Sequence, residues 1–135
     1  MSRSESRVHI LVVEDDLDLR DSLIEVLEEA GYVAAGAEDG REALRQLSLM
    51  RRLPDLILLD LQMPNMNGME FRDEQKKVGA LAQIPIAVVS ADPDASEKAR
   101  AIEARALLRK PLKVSQLLTI IPQVVGAASA GERLE

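Results

Sequence analysis

Five short apolar runs recur along this chain, each separated from the next by a longer stretch whose apolar residues fall at helical spacing, and few folds accommodate that alternation. The runs occupy residues 8–13, 32–37, 56–59, 86–89 and 106–108, and most are apolar at successive positions rather than at every second one. A strand of that kind is covered on both faces, as in a parallel sheet flanked by helices. After the first run, Leu19, Leu23, Val26, Leu27 and Ala30 form one helical stripe, with Asp16 or Asp18 as cap and Gly31 as stop. A second helix starts near Arg41, turns Ala43, Leu44, Leu47 and Met50 inward, and ends before Pro54. The third, over residues 68–77, has a thin stripe of Met69 and Phe71 followed by polar residues. The fourth starts near Asp92 and Pro93 and carries Ala95, Ala99 and Ile102; the fifth uses Val114, Leu117, Leu118 and Ile121, with Pro122 kinking or ending it. Five strands and five helices in strict alternation predict a doubly wound α/β fold with right-handed crossovers and helices on both faces.

The length of 135 residues allows one such domain, expected over residues 8–125, with residues 1–7 and 126–135 expected to be disordered. No apolar run approaches the roughly 20 residues that span a bilayer, and the first residues lack a secretory apolar region, so a cytoplasmic protein without membrane contact is expected. Cysteine is absent, which excludes disulfides, thiolate metal sites and thiol catalysis. The net charge of -6 argues against direct nucleic-acid binding. The basic stretch over residues 97–113 reads first as a solvated helix face.

In a doubly wound sheet the ligand crevice lies outside the carboxyl ends of the strands, so the residues that close each run are the ones to inspect. They are Glu14 and Asp15, then Asp60, then Ser90, then Lys110, every one polar. Singly, each reads as a turn residue or cap; four strand ends converging on one edge is a stronger signal. Three gathered carboxylates raise one another's pKa unless a cation sits among them, and oxygen-only ligands point to Mg²⁺. Lys110 adds a mobile positive charge and Ser90 a hydroxyl that can reorient. The set suits phosphoryl transfer with Asp60 as nucleophile.

The motifs ILVVEDD (residues 10–16), LILLDLQMPNMNG (56–68), VVSA (88–91) and RKP (109–111) resemble the receiver domain of bacterial two-component response regulators, over nearly the whole chain. That resemblance implies a flavodoxin-like receiver fold with strand order 2-1-3-4-5. It also implies Asp60 as phosphoacceptor, with Asp15 as direct ligand to Mg²⁺, Glu14 acting through water, and Asp60 and the backbone carbonyl of Gln62 completing the metal site. Ser90 and Ala91 take the switch and phosphate-binding position, Lys110 binds phosphate, and the bond to Pro111 is expected to be cis. Two departures stand out: Leu107 occupies the position of the usual switch aromatic, and the segment before the fifth strand reads Glu103-Ala104-Arg105 without the usual glycine. Gln62 and Asp92 fall where the family tunes phosphoryl lifetime. His9 reads as a structural strand residue, and Met63, Met66 and Met69 as packing residues.

The function expected from these residues is that of a stand-alone receiver, a regulator that catalyses only its own phosphorylation and dephosphorylation. Its implied partners are a sensor histidine kinase or histidine phosphotransfer protein and a downstream protein docking on the fourth helix, fifth strand and fifth helix, with the domain a monomer or weak dimer. The alternatives are a degenerate receiver acting as a constitutive interaction module, and a receiver fragment of a longer regulator or hybrid kinase. An aspartyl phosphatase acting on metabolites is disfavoured because Gln62 stands where such enzymes place a second aspartate. A nucleotide site is disfavoured because Glu14-Asp15-Asp16 would repel phosphate where glycines would admit it.

Overall fold

The apolar runs pair, in the computed structural model, into one parallel sheet of β1 (His9–Val13), β2 (Val33–Ala37), β3 (Leu56–Asp60), β4 (Ile86–Ser90) and β5 (Ala106–Arg109). The order across the sheet is β2-β1-β3-β4-β5, so β1 and β3 are neighbours and the chain reverses direction of travel between them. The structure describes residues 7–134; six of the seven residues expected to be disordered at the start lie outside the described residues, as does Glu135. The sheet is most hydrophobic at its centre, where every residue of β3 and β4 is buried.

Two separate cores follow from the two faces. On one, Leu23 and Leu27 of α1 (Leu17–Glu29) and Leu117 and Ile121 of α6 (Val114–Leu134) cover Ile10, Val12, Leu58 and Val89. On the other, Ala43 and Leu47 of α2 (Gly40–Leu49), Phe71 of α3 (Gly68–Lys76) and Ala95 and Ala99 of α5 (Ala95–Ala101) cover Leu11, Ile57, Leu59 and Val88. Each large side chain buried in this way contributes about 1.5–3 kcal/mol from leaving water. The polar end of α3 is held from inside: buried Arg72 donates from Nε to the carbonyl of Ile102 at 2.9 Å, and buried Gln75 donates to the carbonyls of Leu81 and Ile84 at 2.7 and 3.1 Å.

There are six helices among the described residues where the sequence suggests five. The additional one, α4 (Gly79–Ala82), is a single turn, too short to leave a periodic pattern in the sequence. α5 begins at Ala95, three residues beyond Asp92, because Asp92 is engaged in a loop of its own. The last helix continues through Pro122 to Leu134, where the sequence suggests a kink or an end at the proline: proline removes only one intrahelical donor. Among the described residues no helix is long and apolar enough to cross a membrane.

The absent glycine before β5 also has a physical answer. At the end of α1 the N–H of Gly31 (φ 99°) bonds to Glu28 and that of Tyr32 to Leu27, the Schellman arrangement with its left-handed residue. At the end of α5 the same two bonds recur, Glu103 to Arg100 at 3.0 Å and Ala104 to Ala99 at 2.9 Å, with Glu103 itself at φ 60°. A glutamate there costs about 1–2 kcal/mol relative to the right-handed conformation. An ion pair from Lys76 at 2.6 Å and the Arg72 bond to Ile102 hold the turn in place.

The turn from β3 into α3 is tighter still. A Cβ on Gly68 would lie 2.9 Å from both the Asp60 carbonyl oxygen and the Leu61 Cα, backbone atoms that cannot turn aside. Gly68→Ala is therefore expected to destabilise by about 1–3 kcal/mol, read as a lower denaturation midpoint. Gly79→Ala, whose Cβ would meet nothing within 4 Å, leaves the midpoint unchanged or higher.

Candidate functional site

The carboxyl edge of the sheet collects the charged residues because each strand interior is apolar and its first polar residue can only emerge at the end. Glu14 directly follows β1, and its backbone N–H still bonds to Ala37 at the end of β2 at 3.0 Å, so its carboxylate leaves the sheet at a fixed height. It is only 2% exposed, and Asp60, the last residue of β3, is 4% exposed. Asp15 beside them is exposed. Carboxylate oxygens of Glu14, Asp15 and Asp60 lie within 4.8 Å of one another, and no other group of three potential metal ligands occurs among the described residues.

Lys110, the residue after β5, reaches into this group, with Nζ 2.8 Å from Glu14 Oε1 and 3.4 Å from Asp60 Oδ2. Its backbone N–H donates to the Ser90 carbonyl at 3.0 Å, and its peptide bond to Pro111 is cis. Asp60 Oδ1 accepts from the backbone N–H of Gln62 at 3.0 Å, and Glu14 Oε2 accepts from that of Asp16 at 3.1 Å. Ser90 closes β4 on the strand next to Asp60, fully buried, its Oγ accepting from the backbone N–H of Asp92 at 3.0 Å. Ala91 follows it at the exposed rim. Leu107 lies apart, half-buried in β5 opposite Val88, three residues before Lys110.

The electrostatics describe two buried carboxylates sharing one ammonium. Burial pushes the Glu14 carboxyl above its ordinary range, Asp60 adds to that, and Lys110 offsets only part of it. Burial and the Glu14 charge push Asp15 up as well. Burial alone would lower the Lys110 pKa, but Glu14 and Asp60 together outweigh it and hold the ammonium above its usual value. Glu14 Oε1 is buried with no hydrogen-bond donor aligned on it, the Lys110 contact being an ion pair rather than a directed bond. An oxygen-only cluster of three carboxylates served by one ammonium fits a hard divalent cation, which the three carboxylates, with help from a loop carbonyl, would hold.

Several residues near the site are not evident from sequence pattern. Arg20 of α1 donates from Nη1 to the Glu14 carbonyl at 2.7 Å. Lys98 of α5 forms an ion pair with buried Asp92, whose carboxylate also accepts from the Gln62 side chain at 3.4 Å and from the Asp94 N–H at 2.8 Å. Lys98, then the Asp94 bond, hold the Asp92 carboxyl below its ordinary value. Gln62 and Asp92, both singled out in the sequence, thus meet in the structure, whereas the Lys98 partner leaves no trace there. A groove of about 550 Å³ lies elsewhere, between β5 and α6, lined by Leu107, Leu108, Arg109, Ser115 and Ile120 among others, and contains none of the acidic residues.

Residues 10–122 match the family model of the response regulator receiver domain. The chain belongs to that family. Among curated relatives it is 38% identical over 113 residues to the response regulator MprA of Mycolicibacterium vanbaalenii, covering 82% of this chain and 47% of that protein. It is 33% identical over 118 residues to the phosphate regulon transcriptional regulatory protein PhoB of Escherichia coli, covering 86% of this chain and 51% of that one. The receiver chain therefore spans about half the length of these curated relatives. Among solved structures, the Vibrio cholerae chemotaxis protein CheY4 superposes with a TM-score of 0.79 at 30% identity, covering 88% of this chain and 99% of that one. A receiver domain of a signal transduction histidine kinase from Syntrophus aciditrophicus matches with the same TM-score of 0.79 at 33% identity, covering 89% and 91%.

Two expectations follow for the receiver's acidic cluster. Replacing Lys110 by Gln removes the ammonium that competes for Glu14 and Asp60, so Mg²⁺ would bind tighter, by at least about tenfold, because each unit-charge pair a few ångströms apart contributes roughly 1 kcal/mol even at the screening of water, as read by calorimetric titration. For pH, the raised Glu14 and Asp15 pKa values mean that these groups contribute stability below their unfolded values and lose it as pH rises through the folded ones. A bound cation relieves that loss, so the rise in melting temperature on adding Mg²⁺ grows with pH from the ordinary carboxylate range toward neutrality.

Proposed function

We propose that this receiver is a phosphorylation switch in which Asp60 accepts a phosphoryl group from the phosphohistidine of a sensor histidine kinase or histidine phosphotransfer protein, in the cytoplasm. The observation that carries the reading is the Lys110 ammonium held between the buried carboxylates of Glu14 and Asp60, 2.8 and 3.4 Å from them. A phosphoryl group arriving on Asp60 meets a cation already positioned beside the accepting oxygen.

In the transfer, an Asp60 carboxylate oxygen forms a bond to phosphorus as the bond from phosphorus to the donor imidazole nitrogen breaks, and that nitrogen recovers its lone pair. Asp15, Asp60 and the Gln62 carbonyl, with Glu14 acting through water, would hold Mg²⁺, which would supply charge neutralisation for the transferring oxygens. Lys110 turns from Glu14 toward the phosphoryl oxygens, and the Gln62 N–H stays on Asp60. The Ser90 hydroxyl, with Ala91 beside it, is the donor available to the new group from β4. Its movement carries Asp92, bonded to Ser90 Oγ and paired with Lys98, and so displaces the start of α5. The domain catalyses its own phosphorylation and dephosphorylation and has no separate substrate.

The readout is a protein partner on the face formed by α5, β5 and α6. The groove there, floored by Leu107, Leu108 and Ile120 and edged by Arg109, supports that placement. With Leu107 in place of an aromatic, the signal passes through the position of the Ser90 loop and α5 rather than through an aromatic rotamer. The length of the curated relatives favours a second arrangement, in which this receiver is one unit of a longer regulator whose output lies outside these residues.

Intact mass after incubation with acetyl phosphate and Mg²⁺ tests the chemistry. One phosphoryl group is expected on the native protein and none on Asp60→Asn or in the presence of a chelator. Unmodified native protein, under conditions that label another receiver, would support a constitutive interaction module instead.

A further inference from the structure

Among the buried polar residues, Glu14, Asp60, Ser90 and Asp92 belong to the acidic site, and Arg72 and Gln75 tie α3 to its neighbours. Asp39 belongs to neither group. It caps α2, its Oδ1 accepting from the backbone N–H of Glu42 at 2.8 Å, and it is 4% exposed. Its second oxygen accepts from the side-chain amide of Asn65 at 2.8 Å, a contact 26 residues away in sequence. Burial alone would raise the Asp39 pKa, but the bonds from Asn65 and from the backbone N–H groups of Glu42 and Arg41 outweigh it and hold the carboxyl below its ordinary value.

Asn65 sits in the loop joining β3 to α3, at φ 64°, a left-handed conformation that asparagine tolerates better than most residues. Beside it the Gly40 N–H donates to the Met66 carbonyl at 3.2 Å, and a Cβ on Gly40 would lie 2.9 Å from that oxygen. These contacts join loops that follow β2 and β3, strands that do not pair because β1 lies between them. The β3–α3 loop is fixed at its start by the Gln62 bond to Asp60 and at its end by the Asn67–Glu70 capping box and the Gly68 bond to Leu61. Between those points Asp39 is the buried charged residue that holds it, through Asn65, three residues beyond Gln62.

We propose that the Asp39–Asn65 bridge is a positioning device for metal binding, fixing the loop that carries Gln62 and so setting the receiver's preference for Mg²⁺ over Ca²⁺. The inference rests on the reading above in which the Gln62 carbonyl joins the three carboxylates as a ligand. Mg²⁺ demands near-ideal octahedral geometry at about 2.0–2.1 Å, whereas Ca²⁺ accepts longer and more variable contacts. A carbonyl on a loosened loop is therefore lost to Mg²⁺ before it is lost to Ca²⁺. Asp39 and Asn65 touch no reacting atom; they act through the loop.

Two substitutions remove the bridge while preserving what else each residue does. Asn65→Gly keeps the left-handed backbone comfortable, and Asp39→Ser keeps a side-chain oxygen to cap α2. The experiment is calorimetric titration of the native chain, both single variants and the double variant with Mg²⁺ alone and with Ca²⁺ alone, beside Asp15→Asn and Asp60→Asn. Each single variant is expected to bind Mg²⁺ about tenfold more weakly and Ca²⁺ less than about threefold more weakly, with the double variant no weaker than either single one. Unchanged Mg²⁺ affinity, or equal weakening toward both cations, would overturn the positioning role and leave the bridge a structural contact that affects only melting temperature. Native protein that binds no Mg²⁺, or binding that survives Asp15→Asn and Asp60→Asn, would instead remove the metal-site reading and the positioning role with it.

Discussion

The contact on which the rest of this molecule depends is the ion pairing of Lys110 with Glu14 and Asp60. Two carboxylates almost without solvent exposure, with a third beside them, constitute a large electrostatic cost, and one ammonium offsets part of it. The remaining imbalance appears as raised pKa values for Glu14 and Asp15 and as a buried Glu14 oxygen with no aligned donor. A site left short of positive charge attracts a divalent cation. A site holding a lysine that can turn aside accommodates an anionic group as well. On the proposed function, binding metal and accepting phosphate are two consequences of one unbalanced cluster.

The sheet is what makes that imbalance tolerable. β3 and β4 are buried along their whole length, and the two hydrophobic cores fix the strand ends with little freedom. Each charged residue is the first polar position after an apolar run, so its carboxylate or ammonium emerges at a height set by strand register: Val13 beside Leu59, and Asp60 beside Val89. The connecting loops then carry the adjustable parts. One leads from Ser90 through Asp92 to Lys98 on α5; the other leads from Asp60 through Gln62 to Asn65 and is held from the side by Asp39. The first is suited to transmit a change and the second to resist one.

Much of this was legible in the sequence, for a physical reason. Strands buried on both faces must be apolar at consecutive positions, so β1, β3 and β4 announce themselves, and the polar residues that end them are conspicuous. Helices that lie across a sheet need a stripe, which α1 and α2 display. What the sequence does not disclose are contacts between loops. No periodicity links Asp39 to Asn65 or Lys98 to Asp92, and the one-turn helix α4 is shorter than any repeat. Glu103 hides the turn that ends α5 because the position usually takes a glycine, and only its φ of 60° reveals the same turn that Gly31 makes in α1. Pro122 misleads in the other direction: it signals a stop, yet α6 continues through it to Leu134.

The role of Asp60 and Lys110 is tested most directly by a crystal structure of the protein grown with Mg²⁺ and beryllium fluoride, a mimic of an aspartyl phosphate. The expected result is a fluoride complex joined to an Asp60 carboxylate oxygen, a cation ligated by Asp15 and Asp60, and Lys110 moved from Glu14 onto a fluorine, with the Ser90 hydroxyl drawn toward the same group. Density for the complex away from Asp60, or Lys110 still paired with Glu14 beside an occupied Asp60, would contradict it.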